Sequence, residues 1–207
     1  DKVPPGDLYD ACRVMAKYIK WNGDLSWNFD ELHTMPIDPE FTQLIESYLA
    51  DVLNNKATYK GWKLPETTLI FPWIARMFPD MKYIYLVRDP RDSIIGRHKT
   101  DDLRDFGIDY PDTNSEREQR AISWKYQYEM VKATPQPKNW LPIRFEDFIL
   151  DQENTVQKLE DFLEIPLCRI IVRKDPVGRW KTDTDQHYFD LFRESMVESS
   201  YTEGLPE

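Results

Sequence analysis

The sequence predicts an α/β domain with a mainly parallel central sheet flanked by helices. Three observations predict it. Lys82–Val87 (KYIYLV) is β-branched and aromatic, apolar on both faces, and ends at a charged turn, which suits a central parallel strand. Ser115 and Glu118 form a capping box for a long helix running to Ala133. Strand and helix candidates alternate from Ala57 onward, the pattern of a parallel sheet with crossover helices.

The remaining elements follow in order. Leu8, Ala11, Cys12, Met15, Tyr18 and Ile19 recur at helical spacing between Asp7 and Lys20. Trp21–Pro39 reads as a loop rich in Trp, Asn, Asp and Pro. Pro39 opens a second helix with an apolar stripe from Phe41 to Leu53. Ala57–Trp62 is a short strand candidate and Pro65–Met77 a helix. Asp89–His98 is a turn into a helix, and Lys99–Thr113 a polar loop. Trp140–Phe145 is a second good strand. Asn154 with Gln157 caps a helix to Leu163, Lys174–Asp185 is irregular, and a last helix covers Gln186–Glu198.

A chain of 207 residues suits one sizeable domain, or one domain and a fragment of another. Its 27 basic and 37 acidic residues give a net charge of −10, which argues against a nucleic-acid partner but not against a nucleotide held in a local basic pocket. Cys12 and Cys168 lie too far apart for a metal-ligand spacing, and His33, His98 and His187 form no cluster, so no metal is expected. No apolar run approaches membrane-spanning length. Two isolated cysteines fit a reducing, cytoplasmic setting, although a Golgi-lumenal enzyme without its anchor would read the same way.

Ligands of parallel α/β sheets bind beyond the carboxyl ends of the strands. The residue that follows KYIYLV there is Arg88, in Val-Arg-Asp-Pro-Arg-Asp-Ser. A guanidinium offers a planar fork of donors that matches a phosphate, and the helix start behind it adds oriented amides. The alternative is that Arg88 and Arg91 pair with Asp89 and Asp92 on a solvated turn.

Strand plus Arg-Asp-Pro-Arg-Asp resembles the 3′-phosphate-binding motif of the sulfotransferases that use 3′-phosphoadenosine 5′-phosphosulfate (PAPS). Upstream, Tyr59-Lys-Gly-Trp-Lys-Leu-Pro-Glu-Thr and Phe78-Pro-Asp-Met-Lys-Tyr are similar to family text, with a lysine before a proline, then a helix and a Phe-Pro-Asp turn. Downstream, Val172-Arg-Lys-Asp-Pro-Val-Gly-Arg-Trp-Lys resembles the loop that closes over the nucleotide. Leu141–Phe145 followed by Glu146-Asp147 is a weaker echo.

The resemblance implies a P-loop-type sulfotransferase fold, one domain over 1–207. It implies that Arg88 holds the 3′-phosphate and that Arg173 and Lys174 reach it from the C-terminal loop, anchored by Trp180 and Lys181. Lys63 would stabilise charge developing on the leaving phosphate. The family's serine, eight positions after the motif arginine, is replaced by Gly96; its backbone, Ser93 or His98 would substitute. For the general base Glu66 comes first, then His33 and Glu31. The alternatives are helix-dipole complementation for Glu66 and a locally satisfied loop histidine for His33.

The family's glycine- and serine-rich 5′-phosphosulfate loop has no counterpart, and the resemblance implies a chain that begins after it. The expected partners are PAPS, its product 3′,5′-adenosine bisphosphate, and a small-molecule or glycan acceptor. Acceptor contacts are expected from Trp21–Pro36 and Lys99–Thr113. Trp21, Trp27 and Phe29 would stack on a sugar or phenol, or else cover the core edge. Asp101, Asp102, Asp105 and Asp109 disfavour a polyanionic acceptor. Two rival readings are a non-catalytic sulfotransferase-derived scaffold and a nucleoside kinase; the kinase requires a Walker loop that is not seen.

Overall fold

The computed structural model describes residues 6–205. Its helices are α1 (Gly6–Ala16), α2 (Phe29–Leu32), α3 (Pro39–Tyr48), α4 (Ala50–Leu53), α5 (Phe71–Met77), α6 (Pro90–Ser93), α7 (Glu116–Ala133), α8 (Phe145–Leu150), α9 (Gln152–Leu163) and α10 (Phe189–Glu198). Strand β1 (Tyr83–Val87) falls between α5 and α6, and β2 (Trp140–Arg144) between α7 and α8. Short 3₁₀ segments cover Pro65–Ile70, Leu103–Phe106 and Arg179–Lys181. The chain is therefore α/β, and it divides into two compact units, 6–78 with 98–135, and 79–97 with 136–205.

The first unit is helical. On α1, Leu8, Ala11, Cys12 and Met15 fall at the spacing that puts them on one face, and all four are buried. That face meets α3, which brings Phe41 and Ile45. Pro39 and the Asp38 carboxylate, which accepts the Glu40 N–H at 2.8 Å, begin α3. The expected stripe to Leu53 breaks at Leu49, where α3 gives way to α4 and Leu53 turns to solvent.

The expected helix Pro65–Met77 starts as 3₁₀ and becomes α only at Phe71. Pro72 has no N–H to give, so it suits the first turn of α5 and not the middle of one long helix. Trp73 is the centre of this unit. It is fully buried, donates its indole N–H to the Leu32 carbonyl at 3.1 Å, and meets the edge of Phe41 at 4.8 Å.

Helix α7 begins where the capping box places it, with Ser115 Oγ accepting the Glu118 N–H at 3.3 Å. Its Tyr126 lies edge-on to Trp27 at 4.9 Å and Phe29 at 5.0 Å, and Trp27 donates to the Asp109 carbonyl at 2.9 Å. These two loop aromatics are core, the second of the roles expected for them, whereas Trp21 is exposed. Lys99–Thr113 is polar only on its outer side: Leu103, Phe106, Ile108 and Tyr110 are buried.

Residues 57–62 do not form the expected strand. Lys60 Nζ donates to the carbonyls of Leu53 at 2.8 Å and Asn55 at 3.3 Å, curling this polar run back over the end of α4.

In the second unit β1 and β2 are parallel, in register from Tyr83↔Trp140 to Val87↔Arg144. Pro142 is tolerable in β2 because a strand with one neighbour needs only half its N–H groups. Tyr83 and Val87 are buried, but Ile84 is 44% and Leu86 54% exposed, so one face of β1 is open where a central strand would be covered. The helix expected over Asp89–His98 is only Pro90–Ser93. Helix α9 starts at Gln152 rather than at an Asn154 cap; Asn154 lies in its first turn, donating to Asp151 Oδ2 at 2.7 Å.

Cys12 is buried in the first unit and Cys168 exposed in the second; both are free. Among the described residues no helix is long and apolar enough to cross a membrane, and no group of His, Cys, Asp and Glu is arranged to hold a metal ion.

Candidate functional site

Strand β1 ends at Val87 and releases Arg88. Arg88 is half-buried, its guanidinium 4.8 Å from the centre of the Phe145 ring. Nη2 donates to the Pro176 carbonyl at 2.6 Å, while Nε is buried without a hydrogen-bond partner. An unmet buried donor costs about 1–3 kcal/mol, more on a charged group. Burial pulls the Arg88 pKa below its ordinary value; Asp92 opposes that shift and Arg179 adds to it.

The two acids of the motif are structural, and the turn is not solvated. Asp89 caps α6 by accepting the Arg91 N–H at 2.9 Å, and its carboxylate pairs with the Arg91 guanidinium at 2.6 Å. The Asp89 N–H is taken by Glu146 at 3.1 Å, so the first turn of α8, just after β2, ties down the turn after β1. Glu146 also accepts the Tyr201 hydroxyl at 2.6 Å.

Arg91 is 1% exposed and lies 3.7 Å from the centre of the Trp180 ring. It also donates to the Glu203 carbonyl. Gly204, at φ +77°, lies so close to Trp180 that a Cβ there would come within 2.9 Å of the ring.

Asp92, fully buried, holds the C-terminal loop. Its carboxylate accepts the Gly178 N–H at 2.6 Å and the Trp180 N–H at 2.9 Å, and its carbonyl accepts Arg179 Nη2 at 3.2 Å. The loop around Pro176–Lys181 is thus fastened beside Arg88. Trp180 is gripped by Arg91, and Lys181 pairs with Glu203 at 2.6 Å. Arg173 and Lys174 are exposed on the approach to this loop. Ser93 and Gly96 are half-buried in the same unit; a Cβ at Gly96 would meet nothing within 4 Å.

The other expected residues belong to the first unit. Lys63 is exposed, just before Pro65. Glu66 is only 4% exposed; Oε1 accepts the Tyr9 hydroxyl at 3.1 Å and Oε2 is buried without a partner. Burial, and then the hydrogen bond to Glu66, raise the Tyr9 pKa. His33 is half-buried, with Nδ1 buried and unpartnered. Burial, and then the charge of Arg76, lower its pKa, favouring neutral imidazole. His98 lies here as well, on a cavity of about 480 Å³ with Tyr9, Arg13, Asp101, Asp102 and Phe106.

Sequence reasoning missed Arg179 and the clamp made by Asp92. Arg179 stands inside Gly-Arg-Trp-Lys, between residues that were singled out, and its charge was the available signal. The role of Asp92 had no sequence signal, because its partners are 86 and 88 positions away.

The arrangement is that of an α/β protein whose parallel strand end presents a guanidinium with a buried, unpartnered N–H, beside a basic loop fastened to the same turn. A sequence model of the sulfotransferase family matches residues 8–168, most of both units, and the chain belongs to that family. The matched stretch ends before the Arg173–Lys181 loop. No curated protein and no solved structure matches the chain significantly.

Proposed function

We propose that this chain transfers a sulfuryl group from PAPS to the hydroxyl or amine of a small-molecule or glycan acceptor, leaving 3′,5′-adenosine bisphosphate. The observation that carries the reading is Arg88, released at the end of β1 with a buried Nε that no protein acceptor meets. A phosphate oxygen is the acceptor such a donor fits. Arg173 and Lys174 are the exposed cations on the adjoining loop that would add charge to the same phosphate. Ser93 or the Gly96 backbone would donate where the family has serine. Trp180 and Lys181 act as anchors of the loop. Because the family match crosses both units, we read them as parts of one domain.

The donor supplies the sulfuryl group; the chain supplies charge and proton acceptance. Lys63, exposed and next to Pro65, is the cation assigned to the developing negative charge on the leaving phosphate. Two groups suit a proton acceptor, Glu66 through Oε2 and His33 through Nδ1, since each of these two atoms is buried without a hydrogen-bond partner. Glu66 has the stronger support, because its Tyr9 partner also lines the 480 Å³ cavity. That cavity is the proposed acceptor seat, and Asp101, Asp102 and Asp105 in its lining disfavour a polyanion. The two free cysteines go with a cytoplasmic setting.

Calorimetric titration with 3′,5′-adenosine bisphosphate and with 5′-AMP tests the reading. The bisphosphate is expected to bind at least ~10-fold tighter, a gap of about 1.4 kcal/mol, and Arg88→Ala to remove the gap. Equal binding of the two nucleotides sinks the 3′-phosphate assignment. A non-catalytic binding role is the second reading, favoured by the burial of Glu66; bisphosphate binding without sulfuryl transfer to any acceptor would select it.

A further inference from the structure

We infer that Arg179 is a second guanidinium ligand of the same phosphate, presented by the Asp92 clamp. This rests on the proposed binding of the nucleotide 3′-phosphate at Arg88.

The inference starts from an imbalance of donors. Arg88 and Arg179 each carry a buried Nε with no hydrogen-bond partner, and each spends one Nη2 on a backbone carbonyl, Pro176 at 2.6 Å and Asp92 at 3.2 Å. The two carbonyls belong to the two segments that the Asp92 carboxylate joins, so both arginines straddle one junction. The charge of Arg179 adds to the lowering of the Arg88 pKa that burial begins, in keeping with that shared junction.

Asp92, and then Glu146 and Asp89, place negative charge near Arg88, but each carboxylate is engaged elsewhere. Asp89 pairs with Arg91, Glu146 accepts the Asp89 N–H and the Tyr201 hydroxyl, and the Asp92 oxygens accept the Gly178 and Trp180 N–H groups. Two like charges held together with unmet donors are what a dianion with several acceptor oxygens relieves. Arg144, whose Nε is also buried and unpartnered, is a poorer candidate: it lies 4.3 Å from the centre of the Tyr201 ring and pairs directly with Asp147 at 3.8 Å.

The position of Arg179 is also fixed from both sides. The backbone N–H groups of its neighbours Gly178 and Trp180 are the two that Asp92 holds, which fixes the backbone at Arg179, while the Nη2 bond to the Asp92 carbonyl at 3.2 Å holds the guanidinium. Arg173 and Lys174 are exposed, and the Lys174 carbonyl accepts only a local bond, from the Val177 N–H at 3.1 Å. For rigid recognition of the phosphate, Arg179 is therefore the better placed of the loop cations.

The test is titration of the full chain with 3′,5′-adenosine bisphosphate and 5′-AMP, comparing wild type, Arg88→Ala, Arg179→Gln, Arg179→Lys and the Arg88→Ala/Arg179→Gln pair. Arg179→Gln is expected to weaken the bisphosphate ~10-fold and leave 5′-AMP unchanged. Arg179→Lys keeps the charge without the fork and falls between. The double variant should lose less than the product of the single losses, since both groups serve one phosphate. Circular dichroism confirms that each variant is folded. If both Arg179 variants bind the bisphosphate like wild type while Arg88→Ala does not, Arg179 is no ligand and the Arg88 site stands. If wild type itself does not prefer the bisphosphate, the phosphate reading fails, and the Arg179 assignment fails with it.

Discussion

The Asp92 carboxylate accepts the backbone N–H of Trp180 at 2.9 Å, joining positions 88 apart in the chain. With the Gly178 N–H on its other oxygen, one buried acid determines where a ten-residue basic loop lies. Asp92→Asn keeps the shape but points an amide at one of the two N–H donors. Nucleotide affinity should fall at least ~10-fold, and trypsin should cut at Arg173, Lys174 or Arg179 faster than in wild type. Unchanged digestion would show that the clamp does not hold the loop in solution.

Arg91 is the centre of a second tie, between the Asp89 carboxylate, the Trp180 ring and the Glu203 carbonyl. Breaking a buried ion pair from one side leaves an uncompensated charge and costs about 3–5 kcal/mol. Arg91→Ala should lower the urea midpoint accordingly. Trp180→Ala should cost less, since it removes stacking but leaves the pair.

At Gly96 there is room for a side chain: a Cβ would meet nothing within 4 Å and φ is not positive. Gly96→Ser should therefore leave stability unchanged. In the proposed reading it restores a hydroxyl donor toward the phosphate, and a hydrogen bond to a charged group contributes about 1.5–3 kcal/mol. Bisphosphate affinity should rise ~10-fold or more by calorimetry, with 5′-AMP unaffected.

Alkaline pH should loosen the second unit. Burial, and then the Glu146 carboxylate, push the Tyr201 pKa above the ordinary phenol value of about 10. A raised pKa means that the folded state holds the proton after the unfolded chain has lost it. The stabilisation is complete below about pH 10 and declines as pH rises through the folded value. Urea melts at successive pH values should show this decline. Tyr201→Phe should flatten it in part, since burial raises Tyr83 in the same direction.

His33 has the opposite sign. Burial and Arg76 depress its pKa below about 6.5, so its contribution is present above that value and lost as pH falls through the folded value. Proton NMR should find the imidazole titrating below 6.5, and His33→Gln should make stability less dependent on pH in that range. A normal or raised value would show that burial and Arg76 do not set the protonation of His33.

Much of this was legible in the chain. Strand β1, the release of Arg88 and the Ser115 cap are written locally, in periodicity and in residues a few positions apart. What was not legible depends on distant partners. The acids of Arg-Asp-Pro-Arg-Asp read only as counter-ions on a solvated turn, and it is Gly178, Trp180 and Arg91 that make them buried ties. Residues 57–62 have strand-like composition, but Lys60 finds the carbonyls at the end of α4 instead. Glu66 read as helix-terminal charge; its burial follows from packing of α1 against the 3₁₀ segment, which no short-range pattern announces.

The two cysteines make the molecule its own folding reporter. Cys168 is exposed, while Cys12 lies on the buried face of α1 with its thiol pKa raised by burial, so a maleimide dye should mark one site per native molecule and two per unfolded one. The second labelling event is slow and counts openings of the first unit alone. Its rate, followed with and without nucleotide, would report whether occupancy at the β1 strand end is felt in the helical unit, with no engineered probe and no need to know the acceptor.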